Sequence, residues 1–168
     1  MGTGNTRGRT EVPDHLIMKW AESYAQGKSA EKRFAMTLYK SIFATTHENI
    51  HEHWDVRDEE FKYDVKAMKR CNRGDSEPTD RIHYIELKNV QGKKGWLYGD
   101  ADYIAFETRA HWVLVSRPRL QKWIDSIDKP MSNKKEIYKL YSRVGRADVM
   151  TIVPTMDLIA ISDKIVKK

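Results

Sequence analysis

The chain has 168 residues, room for one domain with a sizeable core that needs no metal or disulfide staple to fold. Hydrophobic residues at 40% and charged residues at 32% exclude a disordered chain. A formal charge of +6 favours an anionic partner, nucleic acid before an acidic membrane surface, and with no basic run at either end the excess belongs to a folded surface.

Cys71 is the one cysteine, so an internal disulfide and a cysteine-bound structural zinc are excluded and a reducing, cytoplasmic compartment fits. Its ordinary role is that of a small buried hydrophobe. No apolar run approaches the ~18 residues of a membrane span, so no membrane partner is expected. Residues 1–12 are polar, carry no secretory signal and read as a disordered tail, which leaves 13–168 as a single domain.

Pro13 opens a predicted helix that Gly27 ends after Gln26, with Leu16, Ile17, Trp20 and Tyr24 as its apolar stripe. Ser29 is the N-cap of a second helix to about Ala44, where Phe34, Leu38 and Ile42 recur and Glu31 falls on the inward face. A short extended segment at His53–Val56 is followed by an alternating strand, Phe61–Met68, with Lys62, Asp64, Lys66 and Met68 on one side. Residues 72–79 are a loop, and Arg81–Val90 is a strand rich in β-branched and aromatic residues.

A Gly-marked, basic-aromatic segment, Gln91–Gly99, comes next. Strands follow at Asp102–Glu107 and His111–Ser116, then a helix at Arg119–Ile127 behind Pro118. Residues 128–136 read as a loop, Tyr138–Tyr141 as a short strand or turn, and Asp148–Val153 as a strand. Met156–Ile165 suits a helix or a strand equally. The expected fold class is α/β: one domain with a mixed central β-sheet flanked by helices.

Strand alternation puts Glu86 and Lys88 on one row with Ile82 and Tyr84. Charges on an otherwise apolar strand are costly to bury unless paired or solvated, so the row points to a cleft, with Asp64 brought alongside from the preceding strand. Hard divalent ions take one or two carboxylates plus phosphate and water, which Asp64, Glu86 and the Leu87 carbonyl would supply. Lys88 would then stabilise charge on phosphoryl oxygens. The competing readings are a solvated strand face with a cross-strand ion pair for Glu86 and Lys88, and a surface carboxylate between lysines for Asp64.

The run YDVK (63–66) followed by IELK (85–88) resembles the D…E-x-K pattern of the PD-(D/E)xK nuclease superfamily. In that superfamily a helix precedes a sheet whose second and third strands carry the motif, and many members have a glutamate on the first helix. Glu31 matches that glutamate, although a surface pairing with a neighbouring lysine is nearly as good an account of it. The wider run KYDVKAMKR and IELKNVQGKKGWLYGDADYIAFE is similar to small bacteriophage-encoded proteins assigned as nucleases. The resemblance spans most of 28–125; it lacks the proline before Asp64, where Tyr63 stands.

The resemblance implies a restriction-endonuclease-like core and an endonuclease dependent on Mg²⁺ or Mn²⁺, acting on DNA in the cytoplasm (that of the host for a phage protein). Asp64, Glu86, Lys88 and Glu31 are then the catalytic candidates. Lys93 and Lys94 would contact phosphates, with Arg117 and Arg119 as a second phosphate contact. Trp96 and Tyr98 would stack on a base or simply plug the core. Asp102 is a minor metal candidate and Asp100 a cap. A symmetric homodimer would ease cutting of both strands.

The first alternative is a non-catalytic module on the same fold that binds nucleic acid or a host protein. The second is a zinc metalloprotease, because His47-Glu48-Asn49-Ile50-His51 spells H-E-x-x-H. Its context is poor: Thr45-Thr46 recap the chain and the helix is short and polar, so a solvated connector is expected. No nucleophile elbow, phosphate-binding loop or dinucleotide fingerprint is present.

Overall fold

The computed structural model describes residues 14–72 and 74–168. The tail expected over 1–12 lies outside the described residues, as do the side chains of Leu16, Ile17 and Trp20.

Helix α1 runs Asp14–Ala35 without a break. The stop expected at Gly27 is corrected: a helix tolerates an interior glycine at a cost of about 1 kcal/mol, and open space surrounds this one. The end expected near Ala44 is corrected too. Thr37 Oγ1 bonds back to the Phe34 carbonyl and Lys40 takes a left-handed φ of 51°, so the helix closes and Ile42–Phe43 becomes strand β1.

Among the described residues the remaining elements are α2 (Thr46–His51), β2 (Val56–Arg57), β3 (Lys62–Lys66), β4 (Ile82–Lys88), a 3-10 turn (Trp96–Tyr98), β5 (Tyr103–Glu107), β6 (His111–Ser116), α3 (Arg117–Ser126), β7 (Val149–Pro154), α4 (Thr155–Ala160) and β8 (Lys164–Lys167). The ambiguous 156–165 segment is both things in turn, a six-residue helix and then a strand.

Six strands form one sheet in the order β1-β2-β3-β5-β6-β8. All neighbours are antiparallel except β3 and β5, which run parallel, so the sheet is mixed. A parallel pair requires a crossover, and here the crossover carries β4, which pairs with β7 in a separate two-stranded sheet. The expectation that β3 and β4 lie side by side in one sheet is therefore corrected.

Side-chain alternation divides the core in two. Val56, Tyr63, Val65, Ala105, Trp112 and Leu114 face α1 and pack on its Ala30, Phe34 and Ala35. Ile104, Phe106, Val113 and Val115 face the other way, against Ile85 and Val153 of the small sheet and Leu120 and Ile124 of α3. At one edge, Glu107, 1% exposed, accepts from Arg33 of α1 and from Lys168, locking helix, sheet and chain end together.

Candidate active site

The pair β2–β3 is short because it parts at Asp55. Asp55 N–H still donates to the Tyr63 carbonyl (2.8 Å), but the next donor on β3, Val65 N–H, is taken by the Asp55 side chain at 2.7 Å. A carboxylate thus fills the place of a backbone acceptor, satisfying a buried donor where the strands diverge. The other Asp55 oxygen accepts from Asn49 Nδ2 of α2 at 2.6 Å.

The gap that opens there is a cavity of about 240 Å³ lined by Glu31, Asn49, His53, Asp55, Asp64, Val65, Lys66, Glu86 and Trp96. Four carboxylates from α1, the entrance to β2, β3 and β4 share one small space. Tyr63 and Val65 turn towards α1, so alternation turns Asp64 and Lys66 towards β4 and the 3-10 turn.

Asp64 is 3% exposed. Its Oδ1 receives Lys66 Nζ at 2.6 Å, while Oδ2 is buried with no hydrogen-bond donor. Burial pushes the Asp64 carboxyl well above the usual range; Lys66 opposes the shift and the Asp55 carboxylate adds to it. Burial, followed by Asp55, also raises Glu31, against the pull of Lys28, whose ammonium lies 2.8 Å away. Glu86 is half-buried and has no ion-pair partner among the described residues.

Trp96 forms the floor. It is 8% exposed and sits in the main core, and Lys66 Nζ lies 4.4 Å from its ring centroid. It reaches this place because Gly95 lies flat against β4: a Cβ there would meet the Glu86 carbonyl at 2.4 Å. His53 forms one wall in a left-handed conformation with φ of 56°. Burial, helped by Lys66, holds its imidazole below the usual histidine range.

The fold places Glu31, Asp64 and Glu86 around one cavity, with Glu31 also paired to the neighbouring Lys28, and puts Lys88 elsewhere. A bulge between Glu86 and Lys88 breaks the two-residue alternation, so Lys88 is exposed and lines none of this cavity. The Leu87 carbonyl is taken by Gly95 N–H at 2.9 Å rather than aimed into the site. Lys93 and Lys94 are exposed in a neighbouring groove of about 510 Å³ that meets the acidic cavity at His53. Trp96 is a core plug rather than an exposed stacking platform, and Tyr98 is half-buried in the neighbouring groove.

Arg117 donates to the Ala101 carbonyl and Gln121, and Arg119 pairs with Asp163 at 3.1 Å, so both brace α3 and line neither cavity. Asp102 receives Lys62 N–H at 2.8 Å and ties β5 to β3, outside the acidic cluster.

Asn49, His53, Asp55, Val65 and Lys66 line the cavity without being among the residues the sequence pattern singles out. The signal was present for two of them: Asp64-Val65-Lys66 is itself a D-x-K run, and Asp55 stands in the extended segment before it. The H-E-x-x-H run does form a helix, but Glu48 is used in a capping box, accepting from Thr45 N and Oγ1, and His47 and His51 are exposed with their rings 4.5 Å apart. Among the described residues no three His, Cys, Asp or Glu side chains make a ready metal cage. No family model, curated protein or solved structure matches the chain.

Proposed function

We propose that the chain is a metal-dependent nuclease that hydrolyses phosphodiester bonds in DNA, with Asp55, Asp64 and Lys66 at its centre. The observation that carries the reading is the buried Asp64 Oδ2, left without a donor beside a second buried carboxylate and a lysine on the same strand. The residue order agrees with the PD-(D/E)xK resemblance once it is moved one strand earlier: Glu31 on the first helix, Asp55 at the second strand, and Asp64-Val65-Lys66 on the third.

The donor set fits Mg²⁺ or Mn²⁺. A hard ion of this kind is usually held by one or two carboxylates with water and substrate phosphate, so a closed protein cage is not required. Asp55 and Asp64 would hold it, with Glu86 on the opposite wall. When bound, such an ion polarises the phosphate and lowers the pKa of an attacking water.

The rest falls to the protein. Lys66 donates to a phosphoryl oxygen as negative charge builds on it. Glu31, whose carboxyl holds a proton more tightly than usual, accepts the proton of the attacking water. Water forms the new bond to phosphorus, and the bond to one sugar oxygen breaks with its electron pair left on that oxygen, which takes a proton from solvent water to become a hydroxyl. Asn49 fixes the Asp55 carboxylate, and Trp96 keeps the Lys66 ammonium over the cavity.

The second reading, a binding module without chemistry, draws on the Lys66–Asp64 pair, which already neutralises Asp64. Plasmid DNA incubated with Mg²⁺, with Mn²⁺ or with EDTA separates the two. Metal-dependent nicking by the wild type that Asp64→Asn abolishes supports the nuclease; salt-sensitive DNA binding with no cutting under any metal supports the module.

A further inference from the structure

We propose that residues 88–95 and the hairpin tip at 142–147 form one basic lobe that grips the phosphate backbone of duplex DNA beside the acidic cavity. Its orientation towards a cut rests on the nuclease reading of that cavity.

The two segments are one surface. Lys88, at the end of β4, pairs with Val149 of β7 and bridges to Lys94. The loops above them touch: a Cβ on Gly92 would sit 3.4 Å from Ala147 Cβ.

Both loops are preformed. Asn89 Oδ1 accepts from Gln91 N–H at 3.0 Å and Lys93 N–H at 3.1 Å, and Asn89 N–H donates to the Lys93 carbonyl at 2.8 Å. At the tip, fully buried Asp148 accepts from Arg143 N–H and from its guanidinium. Arg146 N–H closes the turn on the Arg143 carbonyl at 3.0 Å, and Gly145 supplies the left-handed φ of 74°. A preformed surface loses little conformational freedom when it binds.

Its charge is unspent. Lys88, Lys93, Lys94 and Arg146 are exposed and have no carboxylate partner among the described residues. Elsewhere Arg33, Lys62, Arg119 and Lys168 are each bound to an acid.

The lobe adjoins the acidic cavity on two sides. Lys93 and Lys94 line the groove that meets it at His53. Arg143 lines a cavity of about 160 Å³ that shares Lys66, Glu86 and Trp96 with it. A polyanion on the lobe is thereby led across the carboxylates.

The chemistry favours a duplex. Proteins that hold single strands offer exposed aromatic rings on which bases stack; residues 88–95 and 142–149 contain no aromatic residue, the adjacent Trp96 is buried in the core, and Tyr98 in the groove is half-buried. What the lobe presents is cations for phosphates, with Val144 wholly exposed at its tip between two arginines.

The test is fluorescence anisotropy in EDTA with a labelled duplex and the same sequence as a single strand. Wild type is compared with Arg146→Ala, the double variant Lys93→Ala/Lys94→Ala, and Lys164→Ala on β8, the edge strand of the other sheet, each checked for folding by circular dichroism. The lobe predicts tighter binding to duplex, several-fold weaker binding in both lobe variants, and a salt dependence shallower by about one for each cation removed. Lys164→Ala should bind like wild type.

Unchanged affinity and salt slope in the lobe variants, preference for the single strand, an equal loss in Lys164→Ala, or no duplex binding by wild type would each overturn the lobe. Cleavage reports separately on the nuclease. Lobe-dependent binding without cutting under any metal removes the nuclease and leaves the lobe; cutting unaffected by the lobe variants does the reverse.

Discussion

Lys66 and Asp64 lie two positions apart on β3 and turn the same way, so the ammonium rests 2.6 Å from Asp64 Oδ1 while it faces the Trp96 ring at 4.4 Å. The pair is mostly buried, the lysine side chain at 22% exposure and the aspartate at 4%. A charged pair taken out of water is costly unless its remaining bonds are met, and Asp64 Oδ2 is not met. That arrangement is poor as a structural staple, which supports the proposed role of the pair in catalysis.

Lys66 should therefore carry the chemistry and Lys88 the grip. Lys66→Ala is expected to lower kcat by about 100-fold or more, the scale of losing one preorganised donor to transition-state charge. Lys88→Ala, on the exposed lobe, should raise KM and leave kcat near wild type. Steady-state cleavage of a plasmid substrate with Mn²⁺ reads both constants; a large kcat loss in Lys88→Ala alone would return the catalytic lysine to β4.

The long strands β3 to β6 were legible because each has enough β-branched and aromatic residues to reveal its period. Strands β1 and β2 are two residues each, too short to have one, so the pattern places β3 one strand too early and conceals the role of the D-x-K it carries. The bulge after Glu86 is equally silent, since a change of register depends on the partner strand. Asp55 was hidden for a different reason: its role comes from Asn49 and Val65, contacts made only after the strands part.

Asn49 is expected to matter through Asp55 rather than through substrate. Its amide is the side-chain donor to Asp55 Oδ1. Asn49→Ala should weaken metal affinity and activity by about 10-fold, as loss of an outer hydrogen bond to a ligand commonly does. Raising the Mn²⁺ concentration should restore much of the rate. A rate that stays low at saturating metal would place Asn49 in contact with substrate instead.

Metal should stabilise the fold most on the alkaline side. Folding raises the carboxyls of Asp64 and Glu31, so their contribution to stability is present below the unfolded values and is lost as pH rises through the folded ones. A cation that takes the ionised carboxylates offsets that loss, and the ligands must be deprotonated to bind it. At 100-fold excess over its dissociation constant, Mg²⁺ or Mn²⁺ should add about 3 kcal/mol, a rise in Tm of roughly 5–10 °C for a chain this size. Thermal melts should show the rise at about pH 8 and little at about pH 5, and Asp64→Asn should abolish it. An equal rise at both pH values would point to a metal bound elsewhere.

His83 should set the acid limit of the fold. It is 3% exposed on β4, packs on Phe106 with ring centroids 5.0 Å apart, and its Nε2 has no partner. Burial pulls its pKa down to about 4, against 6.5 for the free side chain. A histidine lowered in this way is neutral in the fold, so its contribution is intact above the unfolded value and is lost as pH falls, because the unfolded chain takes up the proton first. The whole difference amounts to about 3 kcal/mol, withdrawn between about pH 6.5 and 4. His83→Phe keeps the aromatic contact and removes the proton, so its urea-unfolding midpoint should fall less than that of wild type across this window. Parallel curves for the two proteins would mean that His83 is hydrated in solution, and that the β4–β7 sheet opens there far more than its packing against Phe106 implies.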